Sequence, residues 1–109
     1  MTKLIVNSGV CGFSVSVTAE KDKDKKIMIF LETECEMVRK MIEDISTLDV
    51  MAAFARFPNN PVYRSAGRHL KHAACPVPAG ILKALEVEAG LNVPKDVSII
   101  FVKDKGEAP

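Results

Sequence analysis

The chain has 109 residues, with 15 basic and 14 acidic side chains and a formal net charge of +1. This length fits one compact domain, and the balanced charge gives no reason to expect nucleic acid as a partner. No apolar run approaches the length of a membrane span, and the N-terminus lacks the basic and apolar regions of a secretory signal. The three cysteines are odd in number and far apart, which is typical of reduced thiols. We therefore expect a cytoplasmic protein that binds neither nucleic acid nor a membrane.

The first third of the sequence predicts three strands. Residues 3–6 form a short apolar run that stops at a turn signal, Asn7-Ser8-Gly9. Apolar and polar side chains alternate over residues 13–20, which indicates a half-buried antiparallel strand. The charged stretch at 21–25 reads as a hairpin turn. Residues 27–31 are apolar at consecutive positions, so we expect them in the centre of the sheet.

A capping box predicts the start of the first helix. Thr33 would be the N-cap, and Glu36 three residues later would reach back to the amide of Thr33. Cys35 would then occupy the second helical position. The following apolar positions have the spacing of a core face, and they are Val38, Met41, Ile42 and Ile45.

Three further helical segments are expected. The first is short, covers residues 50–56 and is capped by Asp49, and two prolines end it within residues 57–61. Residues 62–72 form the next. The longest begins with Pro76 as its first residue and ends near Gly90, and its predicted core face consists of Ile81, Leu82, Leu85 and Ala89.

A final apolar run at residues 97–102 predicts one more strand. Three or four strands with the helices placed after the first hairpins predict an α+β fold, a two-layer sandwich. Its sheet would be small and mostly antiparallel, with helices on one face and a Ser- and Thr-rich face open to water or to a protein partner, a second copy included. We expect a single domain over residues 1–103 and a flexible tail over residues 104–109.

Cys75 is the first candidate for chemistry. It would be the N-cap of the longest helix, where backbone N–H groups are unpaired and the helix dipole is positive. Such a position favours a thiolate, so Cys75 is a candidate nucleophile, metal ligand or sulfur carrier. The structural alternative is a small hydrophobic residue that only caps a helix.

The other two cysteines also lie at the ends of predicted elements. Cys35, near the start of the first helix, points toward the core face, so burial is its simplest explanation. Cys11 lies in the turn SGVCG, where Gly9 and Gly12 allow positive φ and converging amides. Its alternative is an ordinary glycine-bearing turn.

Element ends can meet at one rim of a sheet, and there Cys11, Cys35 and Cys75 could together hold Zn²⁺ or an iron–sulfur cluster. A fourth ligand would be a histidine, a carboxylate or an external group. His69 and His72 stand three residues apart just before Cys75, although two exposed helix histidines are the better explanation of that pattern.

At SGVCGF, TECEMV and CPVPAGILKALEVEAGL the chain resembles, over nearly its full length, a family of short prokaryotic proteins of unknown function. Separately, Cys75-Pro76-Val77-Pro78 followed by a helix and a strand resembles the CPxP element of TusA-like sulfur carriers. That resemblance implies a persulfide carried on Cys75, with Pro76 and Pro78 shaping the helix entry.

Three functions therefore remain open: a protein that binds a metal ion or cluster through three cysteines, a thiol-based sulfur carrier or redox protein acting through Cys75, and a small interaction module with structural cysteines. Whether the protein is an enzyme also remains open at this stage.

Overall fold

The computed structural model describes residues 1–103. The predicted flexible tail, residues 104–109, lies outside them. The predicted α+β fold is confirmed, because four antiparallel strands in the order β1-β2-β3-β4 form one open sheet that packs against three helices. The elements are β1 (Thr2–Asn7), β2 (Ser14–Lys21), β3 (Lys26–Thr33), α1 (Glu36–Ile45), β4 (Thr47–Asp49), α2 (Pro61–His69) and α3 (Val77–Glu88).

The alternation of side chains in β2 and β3 divides the sheet into a buried and an open face. In β2 the apolar members of the pattern, Val15, Val17 and Ala19, are completely buried. Val17 pairs with Leu4 of β1 and with Leu31 of β3. The two strands beside β2 therefore continue its row of apolar side chains on the same face of the sheet. The helices cover this face, and the opposite face is open.

The helices pack as their apolar stripes require. Helix α1 buries Val38, Met41 and Ile45 and contacts β3 and α2. Helix α3 buries Ile81 and Leu85 and lies across β1 and β2. An Ala at position 80 would place its Cβ 2.5 Å from Cγ2 of Val6, so the glycine is what allows α3 to approach β1 this closely.

Two helix starts differ from the prediction by one or two residues. Helix α1 has Cys35, not Thr33, as its N-cap, because the Thr33 hydroxyl accepts a hydrogen bond from the Cys35 amide at 3.1 Å and forms a turn ahead of the helix. Helix α3 begins at Val77 with Pro76 as its N-cap. Cys75 therefore precedes the N-cap instead of occupying it.

The middle of the chain also departs from the prediction. Residues 47–49 form a strand that the sequence pattern did not indicate, and it pairs Leu48 with Ile27 at the sheet edge. The helix expected at 50–56 is a 3₁₀ turn, Val50–Ala53, although Asp49 caps it as predicted, with its carboxylate accepting from the Met51 amide. Helix α2 ends at His69, three residues earlier than expected.

The prediction that residues 97–102 form a strand of this sheet is wrong. The segment has no strand partner among the described residues. Its apolar side chains are between 65% and 91% exposed, and they are Val97, Ile99, Ile100, Phe101 and Val102. The pattern is that of a strand, but the chain leaves α3 without bringing the segment back to the sheet.

None of the helices within residues 1–103 is long and apolar enough to cross a lipid bilayer.

Candidate thiol site at one rim of the sheet

The register of the sheet brings Cys11 and Cys35 to the same rim. Asn7, the last residue of β1, pairs with Ser14 at the start of β2, and the next residue of β2 pairs with Thr33 at the end of β3. Cys11 ends the 3₁₀ turn that follows β1. Cys35 comes two residues after the end of β3. Both cysteines therefore lie where β1 and β3 end.

Helix α3 brings Cys75 to this rim as well. Gly80, in the first turn of α3, packs against Val6 near the end of β1, while Glu88 at the other end of α3 receives a hydrogen bond from Thr2 at the start of β1. The helix therefore runs antiparallel to β1, and its N-terminal end lies over the rim. Cys75 is two residues before the first residue of α3.

The three thiols differ in exposure. Cys35 is 8% exposed and belongs to the core, Cys75 is half-buried against the core, and Cys11 is exposed. The turn that carries Cys11 buries no residue of its own and is closed by an amide hydrogen bond from Gly12 to Gly9, both with positive φ. A shift of Cys11 would therefore disturb no core packing.

The pKa of the Cys75 thiol is raised above its usual value, mainly because burial disfavours the thiolate. The Val77 amide donates a hydrogen bond to the sulfur and lowers the pKa, while negative charge on Cys35 and Cys11 raises it again. The predicted easy ionisation of Cys75 at a helix start is therefore wrong. Cys75 stands one position outside the helix cap, where the dipole acts less strongly, and it is partly removed from water.

Among residues 1–103, no three His, Cys, Asp or Glu side chains stand in an arrangement that could hold a metal ion. The three cysteines are free thiols. The rim carries one buried, one half-buried and one exposed free thiol. Thiols of this kind can be alkylated or oxidised where reagents reach them.

The two histidines near Cys75 separate in the structure. His69 is half-buried at the end of α2, and its Nε2 lies 3.1 Å from Oδ2 of Asp44. His72 is exposed beyond the end of α2, so the two do not share a helical face. The carboxylate of Asp44 occupies one ring nitrogen of His69, which removes that nitrogen as a metal ligand.

Asp44 joins α1 to α2 and was not singled out from the sequence. Its carboxylate accepts a hydrogen bond from the Ser65 hydroxyl at 2.7 Å and forms an ion pair with Arg68 at 3.0 Å. Ser65, Asp44 and His69 are the residue types of a hydrolytic triad, but Ser65 is fully buried and donates to the carboxylate instead of to the histidine. The cluster therefore connects two helices and is not a nucleophilic site.

Two of the four basic side chains in this part of the chain are occupied in this way; the four are Arg64, Arg68, His69 and Lys71. Arg68 and His69 both contact Asp44, and that contact holds the Asp44 pKa below its usual value, with the Ser65 hydrogen bond as the largest cause. Lys71 lies outside α2. Arg64 is exposed on α2.

Comparison with curated proteins and with solved structures finds no match for this chain. A family model does match, over residues 2–101, and its description is a family of unknown function, DUF6951. The match includes all three cysteines and every strand and helix of the fold. The chain therefore belongs to the DUF6951 family.

Proposed function

We propose that this protein binds a thiophilic metal ion, Zn²⁺ or the iron of an iron–sulfur cluster, through Cys11, Cys35 and Cys75. The observation that carries the proposal is the arrival of all three thiols at one rim of the sheet, from the end of β1, the end of β3 and the start of α3. The cysteines come from three distant parts of the sequence.

The electrostatics of the rim suit a cation. Negative charge on Cys35 and Cys11 disfavours ionisation of Cys75. A divalent cation has the opposite effect and favours the thiolate form, because a thiol that coordinates the ion loses its proton outright. The half-buried position of Cys75 strengthens the attraction, since charges interact more strongly where water is partly excluded.

The thiols have distinct places in such a site. Cys35 lies in the core, and Cys75 packs partly buried against it just before α3. Cys11 is the exposed member, and we propose that the Gly9–Cys11 turn moves toward the other two when the ion binds. An external ligand would fill the fourth position, as in metal sites that keep an open position.

The test is metal content and affinity of protein purified without oxygen. We expect about one zinc ion per chain, or iron and sulfide when both are supplied, and a cobalt-substituted form with the absorption of thiolate–cobalt charge transfer. Replacing Cys11 or Cys75 by Ser should lower the affinity at least about tenfold, because even partners outside the ligand shell cost that much.

Matched controls separate ligand loss from local damage. Val10→Ser and Ala74→Ser alter exposed residues beside two of the cysteines and should leave the affinity unchanged. Cys35 is buried, so Cys35→Ala is tested together with a measurement of folding by circular dichroism. A folded, metal-free protein that fails to take up zinc or cobalt would exclude the proposal.

A second candidate, the sulfur carrier, is favoured by one observation. Cys75 is only half-buried, and the Val77 amide at the helix entry donates to its sulfur, which would stabilise a persulfide anion. This role needs Cys75 alone. Incubation with a small-molecule persulfide should then transfer its outer sulfur to the Cys75 thiolate and release the donor's thiol. This adds the mass of one sulfur atom to wild-type protein and to Cys11→Ser, but not to Cys75→Ser. Under the metal proposal, no single thiol stands apart in this way.

A further inference from the structure

The most exposed apolar segment of the described chain has the sequence and length of a sheet strand but no strand partner. Residues 97–102 read VSIIFV. Their five apolar side chains are largely in water, and Phe101 is 91% exposed. An extended segment with this composition leaves both its side chains and its backbone without partners, which is the condition under which a strand is added to a sheet edge.

The sheet has one free edge that fits this segment. Strand β1 pairs only with β2 in the described structure, so the outer backbone groups of Thr2–Asn7 are open. This edge is six residues long, the same length as the segment. The opposite edge, β4, is only three residues long, and the ion pair between Lys26 and Asp49 stands at its end, so it is a poor template.

The side-chain pattern of the segment also fits the edge of β1. Alternate residues of a strand point to opposite faces, so Val97, Ile99 and Phe101 share one face, and Ile100 and Val102 share the other. A strand that lies beside β1 has apolar neighbours on both faces. Leu4 and Val6 lie on the helix-covered side and are only partly buried, and Ile5 is 62% exposed on the open side. A strand that is apolar on both faces is suited to such a place.

The exit of the chain from α3 holds the segment away from its own edge. The Gly90 and Leu91 amides bond back to the carbonyls of Val87 and Glu86, with Gly90 at positive φ, which is the Schellman arrangement that fixes the direction of the following chain. Residues 91–103 are all exposed. The molecule extends 55 Å along one axis and only 29 and 25 Å along the others.

We infer that residues 97–102 add as a fifth strand to the free β1 edge of a second copy of this chain, and that the second copy returns its own segment in the same way. A reciprocal exchange is closed and two-fold symmetric, so it stops at a dimer. Two strands and the two edges they cover together bury an area on the order of the 1,200 Å² at which specific interfaces begin.

The test is the mass of the full chain in solution, measured by light scattering with a chelator present so that the result does not depend on metal binding. We expect a mass twice the 11.9 kDa of one chain. The variant Ile99→Lys/Phe101→Lys should be monomeric, with the dimer dissociation constant raised about 100-fold or more, because charged side chains replace two apolar ones at the contact. The control Met51→Lys/Phe54→Lys adds the same charge at residues 63% and 62% exposed and should stay dimeric.

Amide hydrogen exchange identifies the contact itself. In the dimer, residues 97–102 and the outer amides of β1 should both be protected, and both should exchange fast in the Ile99→Lys/Phe101→Lys variant. A wild-type monomer would overturn the inference, whether its segment is unprotected or is protected by pairing with its own β1. A dimer that survives the two lysines would overturn it as well, since the interface would then lie elsewhere.

Discussion

Replacing Gly80 by Ala tests the packing that places Cys75 at the rim. The added Cβ would stand 2.5 Å from Cγ2 of Val6 and 3.7 Å from Cδ1 of Leu4. Ordinary contacts between carbon atoms begin near 3.5 Å, so α3 or β1 must shift by about 1 Å. Val6 is β-branched, and a rotation of its stiff side chain gives little relief. Overpacking of this kind costs about 1–3 kcal/mol.

A second glycine provides the matched control. Gly67 lies in α2 with no atom within 4 Å of its added Cβ. Both substitutions gain up to about 1 kcal/mol from the better helix propensity of Ala, so that gain largely cancels in the comparison. Gly67→Ala should therefore be more stable than wild type, and Gly80→Ala should be less stable than Gly67→Ala by about 1–3 kcal/mol.

Urea unfolding followed by circular dichroism measures both variants against wild type. The double variant Val6→Ala/Gly80→Ala removes the atom that clashes, so Gly80→Ala should cost less in that background than in wild type. Equal stability of Gly67→Ala and Gly80→Ala would refute the close contact between α3 and β1. The placement of Cys75 beside the ends of β1 and β3 would then lose its support.

Three further predictions concern charge and reactivity. Hydrogen bonds from the Lys21 amide and the Thr2 hydroxyl hold the Glu88 pKa below its usual 4.5. The ionised Glu88 carboxylate therefore stabilises the folded protein above pH 4.5, and this stabilisation is lost as the pH falls through the lowered pKa. Glu88→Gln should thus be less stable than wild type at pH 7, and its stability should change less between pH 5 and pH 3 in acid titrations of unfolding. Asp44→Asn should lower the melting temperature, because it weakens the connection between α1 and α2, yet leave cobalt binding unchanged; a loss of binding would assign the Asp44 cluster to the site. In metal-free protein near neutral pH, iodoacetamide should modify Cys11 first and Cys75 only slowly, because Cys11 is exposed while burial raises the Cys75 pKa. Mass spectrometry of the digested peptides measures the two rates. Fast labelling of Cys75 would contradict that electrostatic description.

The strands were predictable where one face of the sheet is buried. In β2 the alternation of valine and serine matches the alternation of buried and open positions, so the period alone identifies the strand. Strand β4 has three residues, and its only buried side chain is Leu48. A segment that short carries no period, so only its pairing with β3 reveals it.

Residues 97–102 are the opposite case, because a clear strand pattern in the sequence forms no strand in the described structure. Their pattern is as strand-like as that of β3, but a strand exists only where an edge receives it. The sequence shows that the segment is suited to pairing and does not show which edge, or whose edge, accepts it. The apolar run of residues 27–31 predicted a strand in the centre of the sheet, and this is confirmed because β3 lies between β2 and β4. Its position between two strands does not bury both faces, since Phe30 is 49% exposed on the open face.

The three-cysteine site stays a prediction. Cysteines at element ends predict a common rim, and the register of β1, β2 and β3 brings the ends of β1 and β3 to one rim. Within residues 1–103, however, no three His, Cys, Asp or Glu side chains stand in an arrangement that could hold a metal ion. The pKa of Cys75 depends on a shift of one position in the helix cap and on burial by residues distant in sequence. Neither can be derived from the local motif CPVP.

X-ray absorption at the metal edge tests the central claim most directly. Protein purified without oxygen and loaded with one equivalent of zinc should show three sulfur neighbours at about 2.3 Å, and the sulfur count should fall to two in Cys11→Ser and in Cys75→Ser. A first shell made only of nitrogen and oxygen at about 2.0–2.1 Å, or a sulfur count that does not change in these variants, would contradict a site built by the three thiols of this rim.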